Sequence, residues 1–267
     1  MRTIILCGLL SGCKLSEEIQ KLEEDIGKLT DDFVVSAFYV GAQEFSYAGV
    51  NMSEVEGLQN VQSVVYLATA DVTGESEPVP LSRATVTAQG ESLGTITYTE
   101  PEAGYYYTNS DGGLVYTANE LVTLQAEQEG EVHTISVTTP AAAVFDLPDE
   151  HPNNTDVVVD ISGQGFDGAL VGVAIFPAAE MVYSNEPTTF QELYNLSHPD
   201  EEGGADIVTI PGEVFADDGL YMISIGGFVA ADTADMESVN TAFSSLLAAE
   251  MAFDVICVPM CLPTQQE

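Results

Sequence analysis

The feature that most restricts this fold is a rhythm of short apolar blocks. From Phe33 onward, runs rich in Val, Ile, Thr and Tyr are broken at short intervals by Gly, Pro, Asn or Asp. β-Branched and aromatic residues suit a pleated, half-buried strand, and Gly, Pro and Asn suit turns. Strand-like runs occupy 33–40, 62–69, 84–88, 94–98, 114–117, 121–126 and 132–137. A second series occupies 155–162, 170–176, 207–210, 220–225 and 252–258. Short strands with turn residues between them predict a mostly β chain built from antiparallel β-sandwiches.

The charge balance narrows the function. The 267 residues include 43 acids and 5 bases. Four of those bases, Arg2, Lys14, Lys21 and Lys28, precede the β region, so Arg83 is the only base in residues 29–267. Phosphate-directed nucleic-acid binding needs clustered Lys and Arg, and this chain excludes it. A body this acidic repels itself unless salt or bound cations screen it. Three readings stay open: a solvated surface suited to a saline habitat, specific Ca²⁺ binding, and attraction to a cationic partner. Arg83 is expected to pair with nearby acids, or else to contact a ligand.

The first thirteen residues have their own logic. Met1-Arg2-Thr3 is short and positive, and residues 4–10 are apolar. This stretch is too short to span a bilayer as a helix. Leu10-Ser11-Gly12-Cys13 then resembles the lipobox of bacterial lipoproteins, where a branched apolar residue and two small residues precede the modified cysteine. The resemblance implies cleavage before Cys13, a diacylglyceryl thioether on Cys13, and membrane lipid as a partner. One acyl chain holds a protein only marginally, whereas a mature bacterial lipoprotein carries two or three, palmitate-like. Lys14 stands where an Asp would signal inner-membrane retention in some bacteria, which favours the outer membrane or cell surface.

Cys7 would leave with the leader and Cys13 would be acylated, so Cys257 and Cys261 remain. Their spacing around Val-Pro-Met and an oxidising compartment point to a local disulfide. Leu15, Ile19, Leu22, Ile26 and Leu29 are spaced 4, 3, 4 and 3, which predicts an amphipathic helix. Glu17 with Lys21 and Glu24 with Lys28 support it as i, i+4 pairs. A parallel dimer would set Glu18 against Glu23, so a monomeric spacer or docked helix is expected ahead of a coiled coil.

The Pro- and Asn-rich stretch 146–154 reads as an interdomain linker. The expected organisation is therefore a leader at 1–12, an anchor and helical spacer at 13–32, one sandwich at 33–146 and a second at 147–267. The segment 232–250 has Val239, Phe243, Leu246 and Leu247 at helical spacing, which predicts a helical insertion in the second sandwich. Glu102-Ala-Gly104-Tyr-Tyr106 and Asp217-Asp-Gly219-Leu-Tyr221 share the pattern acid-x-Gly-x-Tyr. This resembles the tyrosine corner of immunoglobulin-like sandwiches and implies two immunoglobulin-like or transthyretin-like modules. Two unrelated Gly-Tyr hairpin entries would give the same letters.

Catalytic signatures are missing: no Gly-x-Ser-x-Gly, His-Glu-x-x-His, P-loop or dinucleotide fingerprint occurs. His133 falls mid-strand, where a surface or half-buried strand position is expected rather than a general base. His151 and His198 each precede Pro. Asp200, Glu201, Glu202 and Asp206 lie on a Gly-containing loop that suits Ca²⁺, although their spacing is not that of an EF-hand. No other cofactor is expected. The combined expectation is a non-catalytic, acidic envelope lipoprotein whose body is monomeric and binds an envelope protein or polysaccharide. A Ca²⁺-dependent adhesive or carbohydrate-binding module is the alternative, and a hydrolase with an unrecognised carboxylate site ranks last.

Overall fold

The structure is a computed structural model, and it describes residues 33–47, 61–69, 79–178, 180–185, 207–232 and 243–259. The strands are β1 (Phe33–Ala42), β2 (Gln62–Thr69), β3 (Val79–Pro80), β4 (Thr85–Gly90), β5 (Gly94–Thr97), β6 (Thr99–Glu102), β7 (Tyr105–Asn109) and β8 (Leu121–Gln128). They continue as β9 (Glu131–Thr138), β10 (Val157–Asp160), β11 (Gly168–Phe176), β12 (Glu180–Ser184), β13 (Ile207–Ile210), β14 (Gly219–Asp232) and β15 (Phe243–Val258). The expectation of a mostly β, sandwich-like chain holds.

One nine-stranded sheet runs through the molecule in the order β12-β11-β14-β15-β1-β2-β7-β6, with β3 beside β2. A four-stranded sheet, β5-β4-β8-β9, and a two-stranded sheet, β10-β13, complete the β structure. The pairings are antiparallel except at the centre, where β1 and β15 run parallel from Val34↔Phe243 to Ala42↔Met251. The first and last strands of the described chain are therefore neighbours.

Two cores lie on one face of the long sheet. In the first, Val35, Ala37 and Tyr39 of β1 share a cluster with Val86 of β4, Leu124 of β8 and Ile135 of β9. In the second, Val173 of β11 and Ile223 of β14 share a cluster with Val157 and Val159 of β10 and Ile210 of β13. Each such buried aliphatic side chain contributes ~1.5–3 kcal/mol. The two longest strands serve both cores. Ala231, Leu246 and Ala248 pack in the first, while Tyr221, Ile225, Ile256 and Val258 pack in the second.

The helix expected over 232–250 is corrected here, because residues 243–250 form the first half of β15; residues 233–242 lie outside the described residues. The cause is burial of both faces of the strand. Leu246 and Ala248 face the first core, and Leu247 and Ala249 share a buried cluster on the opposite face with Phe38 and Phe228. A strand buried on both sides is apolar without alternation, so helical spacing can be read into it. Residues 114–117, expected as a strand, form a loop whose Tyr116 ring stacks on Tyr39 at 5.3 Å. The helical spacer at 13–32 lies outside the described residues.

Candidate functional site

Most of the sequence candidates fall outside the described residues: Cys13, Cys261, His198 and the acidic quartet Asp200, Glu201, Glu202 and Asp206. Cys257 is described. It is buried at the end of β15 and disulfide-bonded. Its N–H donates to Asp149 O at 2.9 Å and its carbonyl accepts from His151 N at 2.8 Å. The segment after 146 thus continues along the edge of β15 that β1 leaves open. Among the described residues, no group of three or more His, Cys, Asp or Glu is placed to hold a metal ion.

The two described histidines are both buried. His133 is fully buried on β9, where a surface or half-buried strand position was expected, and burial pushes its pKa down while the Glu131 charge acts the other way. His151 Nε2 donates to Thr155 O at 2.8 Å, and its ring meets Phe215 edge-on at 5.5 Å. Arg83 is exposed and has a left-handed backbone, φ 65°. It meets Glu100 first through its main chain, the Arg83 N–H donating to Glu100 Oε2 at 2.9 Å.

That contact is one example of how this chain uses its acids. Carboxylates usually find Lys or Arg, but beyond Lys28 there is one base. Here they accept from backbone N–H groups, in most cases of segments distant in sequence. Glu100 also accepts from Gly104 N at 3.4 Å. Glu120 Oε1 accepts from Ser92 N at 2.7 Å and Leu93 N at 3.4 Å. Asp156 holds Gly212 N at 2.7 Å, and Asp167 holds Ala230 N at 2.9 Å. An ionised acceptor on a backbone donor gives a strong hydrogen bond and favours the charged form.

The pKa directions agree. Partial desolvation raises the Glu100 carboxyl, but hydrogen bonds from Arg83, Ser82 and Gly104 and the Arg83 charge together carry it below its usual range. For Glu120, desolvation again opposes, and bonds from Ser92, Leu93 and Thr117 prevail downward. Asp160 is lowered by the side chain and backbone of Ser162.

Two of these acids occupy the junction between the cores. Along β15, residues 246, 248, 250, 252, 254, 256 and 258 share one face. Leu246 and Ala248 lie in one core and Ile256 and Val258 in the other. Glu250 and Asp254 fall between. Glu250 Oε2 accepts from Ala142 N at 2.9 Å, and Asp254 Oδ2 accepts from Leu147 N at 3.0 Å. The segment that carries Ala142 and Leu147 is thereby fixed to the strand that contributes to both cores. Ala143 and Leu147 of that segment are buried in the second core, and Tyr116 Oη donates to Pro140 O at 2.7 Å. Sequence reasoning missed this pair. The available signal was two acids four residues apart in an otherwise apolar strand.

The two acid-x-Gly-x-Tyr motifs differ in geometry. Tyr221 Oη donates to Asp217 O at 2.9 Å, a few residues upstream, as in a tyrosine corner. Tyr106 Oη donates to Leu81 O at 2.7 Å and accepts from Ala84 N at 2.9 Å, across the sheet edge. Gly104 sits in a turn at φ 77°, where an added Cβ would lie 2.7 Å from Leu67 O. Both rings are 1% exposed.

No protein-family model and no curated protein matches the chain. Among solved structures it is similar to the FN1–FN3 domains of chicken CNTN1, with 12% identity, 76% of this chain and 63% of that one covered, and a TM-score of 0.24. The chain thus spans less than two thirds of that fragment. It is similar to the Ig1-2 module of the Drosophila receptor protein tyrosine phosphatase DLAR, with 11% identity, 74% and 91% covered, and a TM-score of 0.23. A third likeness is to Dpr2 Ig1-Ig2 in a complex with DIP-Theta Ig1-Ig3, with 12% identity, 83% and 94% covered, and a TM-score of 0.19.

Proposed function

We propose that this protein is a non-catalytic, membrane-anchored acidic lipoprotein of a bacterial envelope. Its body serves a binding or structural role toward an envelope protein or polysaccharide. The observation that carries the reading is the ordered N-terminus, with Arg2, the apolar run 4–10 and Leu10-Ser11-Gly12-Cys13 in sequence. The disulfide at Cys257 supports it, because such bonds persist in oxidising compartments. With Cys7 removed and Cys13 acylated, the partner of Cys257 is Cys261. The carboxylate-to-backbone bonds support a body at home in salt, since they need no basic side chains and leave the remaining acids solvated.

Detergent phase partitioning tests the anchor. The wild-type protein is expected in the detergent phase and membrane fraction, and Cys13→Ala in the aqueous phase. Identical partitioning of the two would remove the lipoprotein reading.

A further inference from the structure

We infer that the parallel pairing of β1 with β15 is a mechanical clamp, loaded in shear whenever the two ends of the chain are pulled apart. Its use in the cell rests on the anchored reading above; the clamp itself does not.

The geometry is specific. β1 is the first described strand and β15 the last, and they are hydrogen-bonded neighbours running in the same direction. Tension at the N-terminus enters β1 at Phe33 and pulls it backward along its axis. Tension at the other end leaves β15 at Val258 and pulls it forward. The strands must then slide past each other, so all nine register pairs from Val34↔Phe243 to Ala42↔Met251 are loaded together. Gln43 N extends the contact to Met251 O at 2.9 Å. An antiparallel terminal pair pulled from one end would instead open one pair at a time.

Neither strand can leave by another route. The far side of β1 is paired with β2 from Phe33↔Thr69 to Val40↔Gln62. The far side of β15 is paired with β14 from Gly219↔Val258 to Asp232↔Ser245. Both strands are buried on two faces: Tyr39 and Leu246 pack in the first core, and Phe38 and Leu247 in the opposite cluster. The pairing is also the one strand-to-strand bond, among the described residues, between β1–β9 and β10–β15. A load applied at a membrane anchor and resisted in the second half is carried by this pairing together with the first-core packing of Ala231, Leu246 and Ala248. The protein would act as a tether that keeps its shape under tension.

Single-molecule pulling of the full chain, tagged at both ends, tests this. One cooperative rupture that frees the whole folded length is expected. The dependence of its force on loading rate should give a displacement to the barrier below one residue's rise along a strand, ~3.3 Å. Ala37→Pro, which removes a β1 donor on the side that faces β15, as Gln43 N does toward Met251 O, should lower the force several-fold. Ile135→Ala, in the first core but outside the pairing, should leave it unchanged at a similar loss of equilibrium stability. A displacement spanning several residues, stepwise ruptures that begin elsewhere, or an equal effect of Ile135→Ala would overturn the inference. The wild-type loading-rate series decides the matter even where Ala37→Pro does not fold. Failure of the anchor would show separately in the partitioning of Cys13→Ala.

Discussion

Glu250 Oε2 accepts a hydrogen bond from the backbone N–H of Ala142 at 2.9 Å, although the residues are 108 positions apart. Four residues along the same strand, Asp254 does the same for Leu147 at 3.0 Å. Charge-assisted hydrogen bonds are worth about 1.5–3 kcal/mol when partly buried. Glu250→Ala and Asp254→Ala should each cost about 1–2 kcal/mol, because water can reach part of each site. The isosteric Glu250→Gln keeps an acceptor and should cost less than Glu250→Ala. Urea denaturation of the single and double variants checks this, and the paired loss should depart from additivity, since both bonds hold one segment.

Acid should weaken the fold through named groups. The carboxyls of Glu100, Glu120 and Asp160 lie below their usual range in the folded state. A depressed folded value means that these groups add stability above the unfolded value, roughly pH 4. That contribution disappears as pH falls through the lower folded value. Glu120→Gln removes the titration but keeps an acceptor for Ser92. The stability gap between wild type and Glu120→Gln should be largest near pH 7 and close toward pH 3 at fixed salt. Equal gaps at both ends would refute the assignment.

The two buried tyrosines of the acid-x-Gly-x-Tyr motifs are unequal. Tyr106 Oη both donates and accepts, whereas the Tyr221 Oη bond to Asp217 O is a single donation. Tyr221→Phe should cost about 1 kcal/mol and Tyr106→Phe about twice that, since the second leaves an additional amide unpaired. Thermal melts of the two variants in matched buffer read the order directly.

Gly41 lies under the Tyr116 ring. An added Cβ would come within 2.3 Å of Tyr116 Cγ, and that ring is stacked on Tyr39. Gly41→Ala must displace the ring and loosen its bond to Pro140 O, at a cost of about 1–3 kcal/mol. The double change Gly41→Ala with Tyr116→Ala should recover part of the loss that Gly41→Ala adds to wild type. No recovery would mean that the ring is not what excludes the methyl.

The strands that alternate, or that end in Gly and Asn turns, were legible in the sequence. Gln62–Thr69 and Ile207–Ile210 fall where their β-branched residues place them. Phe243–Glu250 did not, because burial on both faces erases the period of two that marks a strand. Thr99–Glu102 carries Pro101 and two acids and is held as a strand by its pairing with β7, which no local signal announces. The parallel pairing of first and last strands is likewise a non-local fact that no window of sequence contains. Glu250 and Asp254 looked like any others of the 43 acids, and only the path of the segment around Ala142 and Leu147 gives them partners.

Intact-mass measurement of the native protein extracted from its own membranes tests the central claim most directly. The account predicts a chain that begins at Cys13, heavier than its residues by a diacylglyceryl group, with Cys257 and Cys261 two hydrogens short. A mass that includes Met1 and carries no lipid would contradict it.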